Sequence, residues 1–299
     1  MKVYKDLDRI PRGQSDDSVT QGCLVLEGGA WRGIYTEGVL DALLQENINM
    51  QTVIGVSAGA MNGHSYMAGQ IGRTARVNLH YRHDPDYVGV GAFKEDHGIT
   101  GFSYLFDELA NQEPLDMERF NDPRRRFIAV ATSLETGEAV YFERGKCSDI
   151  FKAVQASATV PYISEPVMID GKPYLDGGCA VKIPLDWALE EGFEKIVLIR
   201  TRERGFRKEP RAPLALQKRL YGNYPEFVAD LQEEVPHYNL LLERIEQMQD
   251  DGRIFVISPS EPIRIKRFEG DMDKLGELYW LGYKDGKESL EGLKAYLGI

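Results

Sequence analysis

The chain has 299 residues, 42% of them hydrophobic and 28% charged, with a formal net charge of −11. This composition suits a globular fold, and its acidity excludes general nucleic-acid binding, which needs basic surface to neutralise phosphates. Cys23, Cys147 and Cys179 lie far apart without C-x-x-C spacing, which excludes a disulfide framework or zinc site and suits a reducing compartment.

Residues 1–21 form a polar leader with Pro11, Gly13 and several Asp and Ser, expected to be loosely held. It lacks an apolar signal-peptide core, and no run reaches the ~18 apolar residues of a membrane span. The expectation is a soluble, cytoplasmic protein. Its charge opposes adhesion to acidic membranes, yet a transient local apolar contact with a membrane surface stays compatible.

Residues 23–26 are continuously apolar, as in a strand buried on both faces. Gly28-Gly29-Ala30-Trp31-Arg32-Gly33 follows, and then apolar residues at helical spacing over 34–44. A second β-branched run, 52–56, ends in Gly55-Val56-Ser57-Ala58-Gly59 and leads into small, helix-compatible residues. Two strand–glycine–helix units in series predict a parallel sheet with helices on its faces.

The Gly-x-Ser-x-Gly pentapeptide in that context predicts a nucleophile elbow exposing the Ser57 hydroxyl. Gly55 and Gly59 let strand and helix almost touch, and the helix N-terminus favours negative charge beside the serine. The Gly28–Gly33 stretch fits a dinucleotide fingerprint poorly. Ala30 replaces the middle glycine, and the next strand ends without an acid. Its better reading is an oxyanion hole of backbone N–H groups. Arg32 anchors that loop, meets a phosphate, or is an ordinary surface arginine.

Residues 71–81 read as helical, whereas 83–101 break the pattern for longer than most loops. Phe93, Phe102, Tyr104, Leu105 and Phe106 cluster there, either packed on the core or covering an apolar pocket. Strands at 127–132 and 138–142 flank the turn Glu135-Thr136-Gly137. The preceding Arg124-Arg125-Arg126 reads as a solvated strand entrance. A helix over 149–158 comes next, then a hairpin turning at Asp170-Gly171. The returning strand carries Asp176 to its end, before Gly177 and Gly178.

A helix over 185–191 leads to a strand at 195–199. Residues 214–249 are helical, with breaks expected at Pro225 and Pro236. A strand at 253–257 and a helix or helix pair over 272–297 complete the chain. No Pro/Ser-rich linker divides it. Residues 22–201 are therefore expected as the catalytic core, with 202–299 a mostly helical extension packed on the same domain.

A serine hydroxyl needs a neighbouring base. His237 is the one histidine after Asp176 and is expected at the surface; His64 lies roughly 10 Å along the helix from Ser57, beyond direct reach. His80 and His83 read as solvated, and His97 falls in the irregular loop. The triad Ser57–Asp–His237 therefore competes with a Ser57–Asp176 dyad, in which burial strengthens a carboxylate whose ordinary pKa is about 3.9.

With these residues placed, the chain resembles the bacterial members of the patatin-like phospholipase family. The resemblance rests on the Gly28–Gly33 loop, on Gly55-Val56-Ser57-Ala58-Gly59 and on Asp176-Gly177-Gly178. Ala156-Ser157-Ala158-Thr159-Val160-Pro161 also looks like the family's Ala-Ser-x-x-x-Pro stretch. These motifs span about residues 22–201. The resemblance implies a three-layer α/β/α sandwich around a mostly parallel sheet. It also implies lipid acyl hydrolysis of the phospholipase A type by a Ser57–Asp176 dyad, with no cofactor and no metal. Ser57 is then the nucleophile, Asp176 the base, Gly177 and Gly178 the base loop, and Gly28–Gly33 the oxyanion hole. Ala30 stands where the family usually has a third glycine. Alanine is strained there if positive φ is required, and serves if only its N–H is used. The competing expectations are a soluble short-chain esterase or thioesterase and a non-turnover regulatory or binding protein. The intact Ser57, Asp176 and glycine loop oppose the last. The partner is a lipid or acyl-ester substrate; the motifs specify no oligomeric state.

Overall fold

The computed structural model describes residues 2–209 and 214–299. In chain order the elements are β1 (Gly13–Gln14), β2 (Thr20–Leu26), α1 (Gly33–Gln45), β3 (Met50–Val56), α2 (Ala58–Met67), β4 (Gln70–Ile71), α3 (Arg73–Tyr81), α4 (Val90–Asp96), α5 (Met117–Phe120) and β5 (Arg126–Ser133). They continue as β6 (Ala139–Glu143), α6 (Ile150–Ala158), β7 (Val167–Ile169), β8 (Lys172–Asp176), α7 (Leu185–Glu190), β9 (Ile196–Ile199), α8 (Leu214–Tyr221), α9 (Pro225–Asp250), β10 (Phe255–Ile257) and α10 (Met272–Leu297).

Side chains on a strand alternate between faces, and here both faces are apolar. Leu24, Val53, Phe127 and Val197 point into one core with residues of α1, α2, α6 and α10. Their neighbours Val25, Ile54, Ile128 and Leu198 point into a second core, closed by α7 and α9. The result is an α/β/α sandwich. Strand order is β10-β9-β2-β3-β5-β8-β7, with β6 also on β5. β10 through β5 run parallel, while β6, β8 and β7 pair antiparallel.

Four expectations need correction. The leader is tied down: Tyr4 and Ile10 are buried, and β1 pairs with β4. The irregular segment contains α4. Arg125 is buried rather than solvated, its guanidinium donating to Met50 O at 3.1 Å and Met67 O at 2.9 Å. Pro236 does not break α9. It forfeits one hydrogen bond on an exposed face, and the buried Tyr238, Leu242, Ile245 and Met248 hold the helix beyond it. Pro225 occupies the first turn of α9, where a missing N–H costs nothing. Within the expected extension over 202–299, residues 210–213 lie outside the described residues.

α10 is one helix lying along α1 with two buried hydrogen bonds across the seam. Tyr35 Oη donates to Asp285 at 3.0 Å and Tyr279 Oη to Asp41 at 2.8 Å. Burial pushes the Asp41 carboxyl up to about 7, opposed by the Gly72 N–H and the Tyr279 hydroxyl. The unfolded carboxyl ionises near its ordinary ~3.9. This group's contribution is therefore complete below that value and is lost as pH rises through about 7. Each unit is worth ~1.4 kcal/mol. Urea unfolding should show wild-type stability declining across this window, and Asp41→Asn should flatten that slope.

Candidate active site

β5 sets the geometry. One edge of β5 carries β6, where Val130 faces Tyr141 and Ala131 faces Val140. On the opposite edge, Val130 faces Val56 at the end of β3 and Ala131 faces Asp176 at the end of β8. β3 and β8 therefore meet end to end on one edge, from opposite directions. Residues 119 apart in sequence arrive side by side: Ser57 Oγ donates to Asp176 Oδ2 at 2.8 Å.

Ser57 occupies φ 55° and ψ −123°, a strained conformation for a non-glycine residue. Its neighbours enforce it. A Cβ on Gly59 would lie 2.5 Å from Leu26 O, and one on Gly55 would overlap the Gly59 backbone. The Ser57 N–H donates to Ser157 Oγ at 2.8 Å, and Ser157 Oγ donates to Val130 O at 2.5 Å. Ser157, which the resemblance marks without a role, pins the elbow to β5. Thr132, which sequence reasoning missed, pins the other partner. Its Oγ1 donates to Asp176 O at 2.9 Å and accepts the Ala180 N–H at 3.2 Å. A buried threonine at a strand end looks like any core residue in sequence.

Ser57 and Asp176 are both buried. Gly178 N–H donates to Asp176 Oδ1 at 2.7 Å, leaving Oδ2 to the serine. Gly177 is required at its position because a Cβ would overlap Val130 O. Burial raises the Asp176 pKa above the usual carboxylate value, opposed by Arg267, the Gly178 N–H, Ser57 and Lys182.

The six residues of the glycine loop are not equivalent. Gly28 N–H donates to Lys182 O at 3.1 Å, Arg32 N–H to Gly29 O at 3.2 Å, and Gly33 N–H back to Ala30 O. Trp31 N–H reaches Arg267 O at 3.5 Å. Gly29 and Ala30 N–H find no acceptor among the described residues. Ala30 has φ 49°, so the alanine does carry left-handed strain of roughly 1–2 kcal/mol. The Arg32 Nε is buried without a partner among the described residues, and burial with nearby Arg202 holds its guanidinium down at about 10.

A cavity of about 90 Å³ opens at Ser57. Ala30, Ala58, Met61, Phe102 and Val160 contribute to its apolar wall, while Glu37, Asn62 and Asn78 add polar groups. The segment over 83–101 forms part of that wall through Tyr87, Val88, Ile99 and Thr100. Val88 and Thr100 bridge the segment's base, and Phe93 on α4 faces solvent at 60% exposure.

Neither His64 nor His237 hydrogen-bonds Ser57 or Asp176 among the described residues. His237 is exposed on α9. His64 is buried among Phe106, Phe120 and Phe151, and burial pushes its pKa down to about 3. His80 and His83 are half-buried rather than solvated, the first stacked on Tyr81 and the second bonded to Gly270 O at 2.7 Å. His97 is exposed. No cluster of three or more His, Cys, Asp or Glu suited to a metal occurs among the described residues. None of their helices is long and apolar enough to cross a membrane.

The profile described as patatin-like phospholipase matches residues 24–189, and that of a domain of unknown function matches 224–298. The uncharacterized protein YjjU of Escherichia coli (strain K12) is 28% identical over 88% of this chain and 75% of its own. An uncharacterized NTE family protein of Mycobacterium tuberculosis is 28% identical over 58% of this chain and 46% of its own. Lysophospholipase nte1 of Aspergillus terreus is 25% identical over 97% of this chain, which spans 19% of the fungal protein. Among solved structures, VipD from Legionella pneumophila aligns over 98% of this chain and 71% of its own, with a TM-score of 0.44 and 13% identity.

Proposed function

The chain belongs to the patatin-like phospholipase family, whose profile covers more than half of it, and on that footing we propose that it hydrolyses carboxylic esters of lipids with Ser57 as nucleophile and Asp176 as base. The observation that carries this reading is the 2.8 Å hydrogen bond from Ser57 Oγ to Asp176 Oδ2, with Ser57 lining a cavity.

Asp176 takes the hydroxyl proton as Ser57 Oγ bonds to the ester carbonyl carbon. The carbonyl oxygen becomes an oxyanion, held by the Gly29 and Ala30 N–H groups. The C–O bond to the alcohol or lysolipid then breaks, and the leaving oxygen takes the proton from Asp176. Water, deprotonated by Asp176, attacks the acyl-serine and releases the fatty acid.

The size of the cavity favours a second reading within the same chemistry. A cavity of about 150 Å³ accommodates benzene, so this one, as it stands, suits a short acyl group and a soluble ester. Rates on monomeric short esters compared with micellar phospholipid separate the two readings.

A fluorophosphonate probe tests the nucleophile. Wild type should be labelled at Ser57 and Ser57→Ala should not; an unlabelled wild type would overturn the reading in favour of a non-turnover binding protein.

A further inference from the structure

The cavity wall contains a polar group that the proposed ester cleavage does not use. Glu37, on the first turns of α1, is 4% exposed and lines the cavity that holds Ser57. Its Oε1 accepts from Asn78 Nδ2 at 2.6 Å, and Asn78 Oδ1 in turn accepts from Tyr87 Oη at 2.6 Å. Asn78 and Tyr87 line the same cavity. Glu37 Oε2 is buried with no partner among the described residues. Asn62, on α2, also lines the cavity; its Nδ2 donates to Gly33 O at 2.8 Å, leaving Oδ1 as an acceptor.

With Glu37 in its wall, the pocket suits a plain alkyl chain poorly, since such a chain leaves the buried, unpaired Oε2 unbonded. An acyl chain carrying a hydroxyl removes the conflict. It accepts from Glu37 and donates to Asn62, so Glu37 Oε2 and Asn62 Oδ1 both gain a partner. Asn62 lies roughly 7 Å along α2 from Ser57, within the span of a short acyl chain.

We propose that Glu37, oriented by Asn78 and assisted by Asn62, is the specificity-determining residue of the acyl pocket, and that the pocket selects hydroxylated acyl groups over unsubstituted ones. The proposal rests on the ester-hydrolase reading for its substrate class. Burial pushes the Glu37 carboxyl well above its ordinary range, with the Asn78 amide opposing and Asp41 adding to the rise. Burial thus favours the neutral carboxyl. Because Oε1 already accepts from Asn78, the proton sits on Oε2, where it can be donated. A site built to bond a hydroxyl discriminates strongly against the analogue lacking it.

The test compares nitrophenyl hexanoate with its β-hydroxy and ω-hydroxy counterparts on wild type, Glu37→Leu, Glu37→Gln and Asn62→Ala. In parallel, calorimetry measures binding of the corresponding free acids. Wild type should prefer one hydroxylated ester by roughly tenfold or more in kcat/KM, and bind the matching acid more tightly than hexanoate. Glu37→Leu should abolish the preference. Glu37→Gln should keep much of it, since its amide also donates. Should Glu37→Leu fail to fold, loss of the preference in Asn62→Ala supports the proposal and its full retention there counts against it. Absence of any preference in both assays, or a preference that survives Glu37→Leu, overturns it. Hydrolysis of all three esters at similar rates would sink this proposal and keep the hydrolase. Glu37-dependent binding of the hydroxy acid without turnover would do the reverse.

Discussion

Asp176→Asn should lower kcat/KM by roughly 10³–10⁴ while leaving the melting temperature unchanged or slightly raised. The asparagine oxygen can still accept the Gly178 N–H that now reaches Oδ1 at 2.7 Å, so the loop after β8 keeps its hydrogen bond. The side chain facing Ser57 Oγ becomes an NH₂ group, which cannot take a proton. No buried carboxylate remains to be desolvated, so stability has no reason to fall. The proposed dyad loses its base, and the thermal melt distinguishes that from unfolding.

The pH profile carries the same argument. The base works ionised, so activity should fall with decreasing pH as Asp176 takes up a proton. Burial sets that midpoint above the usual carboxylate range. A dyad predicts that this acid limb follows Asp176 and no histidine. His237→Ala should leave the profile intact, because His237 is exposed and bonded to neither partner. Collapse of activity in His237→Ala, with Asp176→Asn still active, would establish a triad and end the dyad assignment.

How much of this was legible before coordinates depended on whether the signal was local. The elbow is local. Its strand, glycines and serine lie within a dozen residues, and Gly55 answers the backbone of Gly59. The alternating cores followed from apolar runs in the same way. The partnership of Ser57 with Asp176 is not local. It comes from β3 and β8 converging on one edge of β5, a pairing that nothing in either strand announces. The role of Ser157 and the part played by Thr132 were silent for that reason, since each acts on a backbone group brought close only by tertiary structure. The glycine loop was visible, but the division of its amides was not, because Gly28 loses its N–H to Lys182, far along the chain. Pro236 misled for the opposite reason. The local rule was sound, yet the buried stripe from Tyr238 to Met248 outweighs one missing hydrogen bond.

Gly282→Ala should destabilise the protein by roughly 3 kcal/mol or more, whereas Gly292→Ala, ten residues further along the same helix, should be neutral or stabilising by up to ~1 kcal/mol. At Gly282 a Cβ would overlap Tyr35 O on α1; reciprocally, one at Gly38 would overlap Tyr279 O on α10. The two helices therefore touch through their main chains, which cannot rotate aside as a side chain can. Relief requires the helices to separate, and separation stretches the Tyr35–Asp285 and Tyr279–Asp41 hydrogen bonds. Two buried carboxyls would then lose donors, adding to the steric cost. At Gly292 the nearest neighbour is the Phe255 ring at 3.4 Å, so alanine fits and its helix propensity is gained. Denaturant unfolding of both variants measures the contrast. The seam also bears on the site, since α1 begins at Gly33, directly after the glycine loop, and carries Glu37. Gly282→Ala should therefore slow fluorophosphonate labelling of Ser57 even where the protein remains folded, and Gly292→Ala should not.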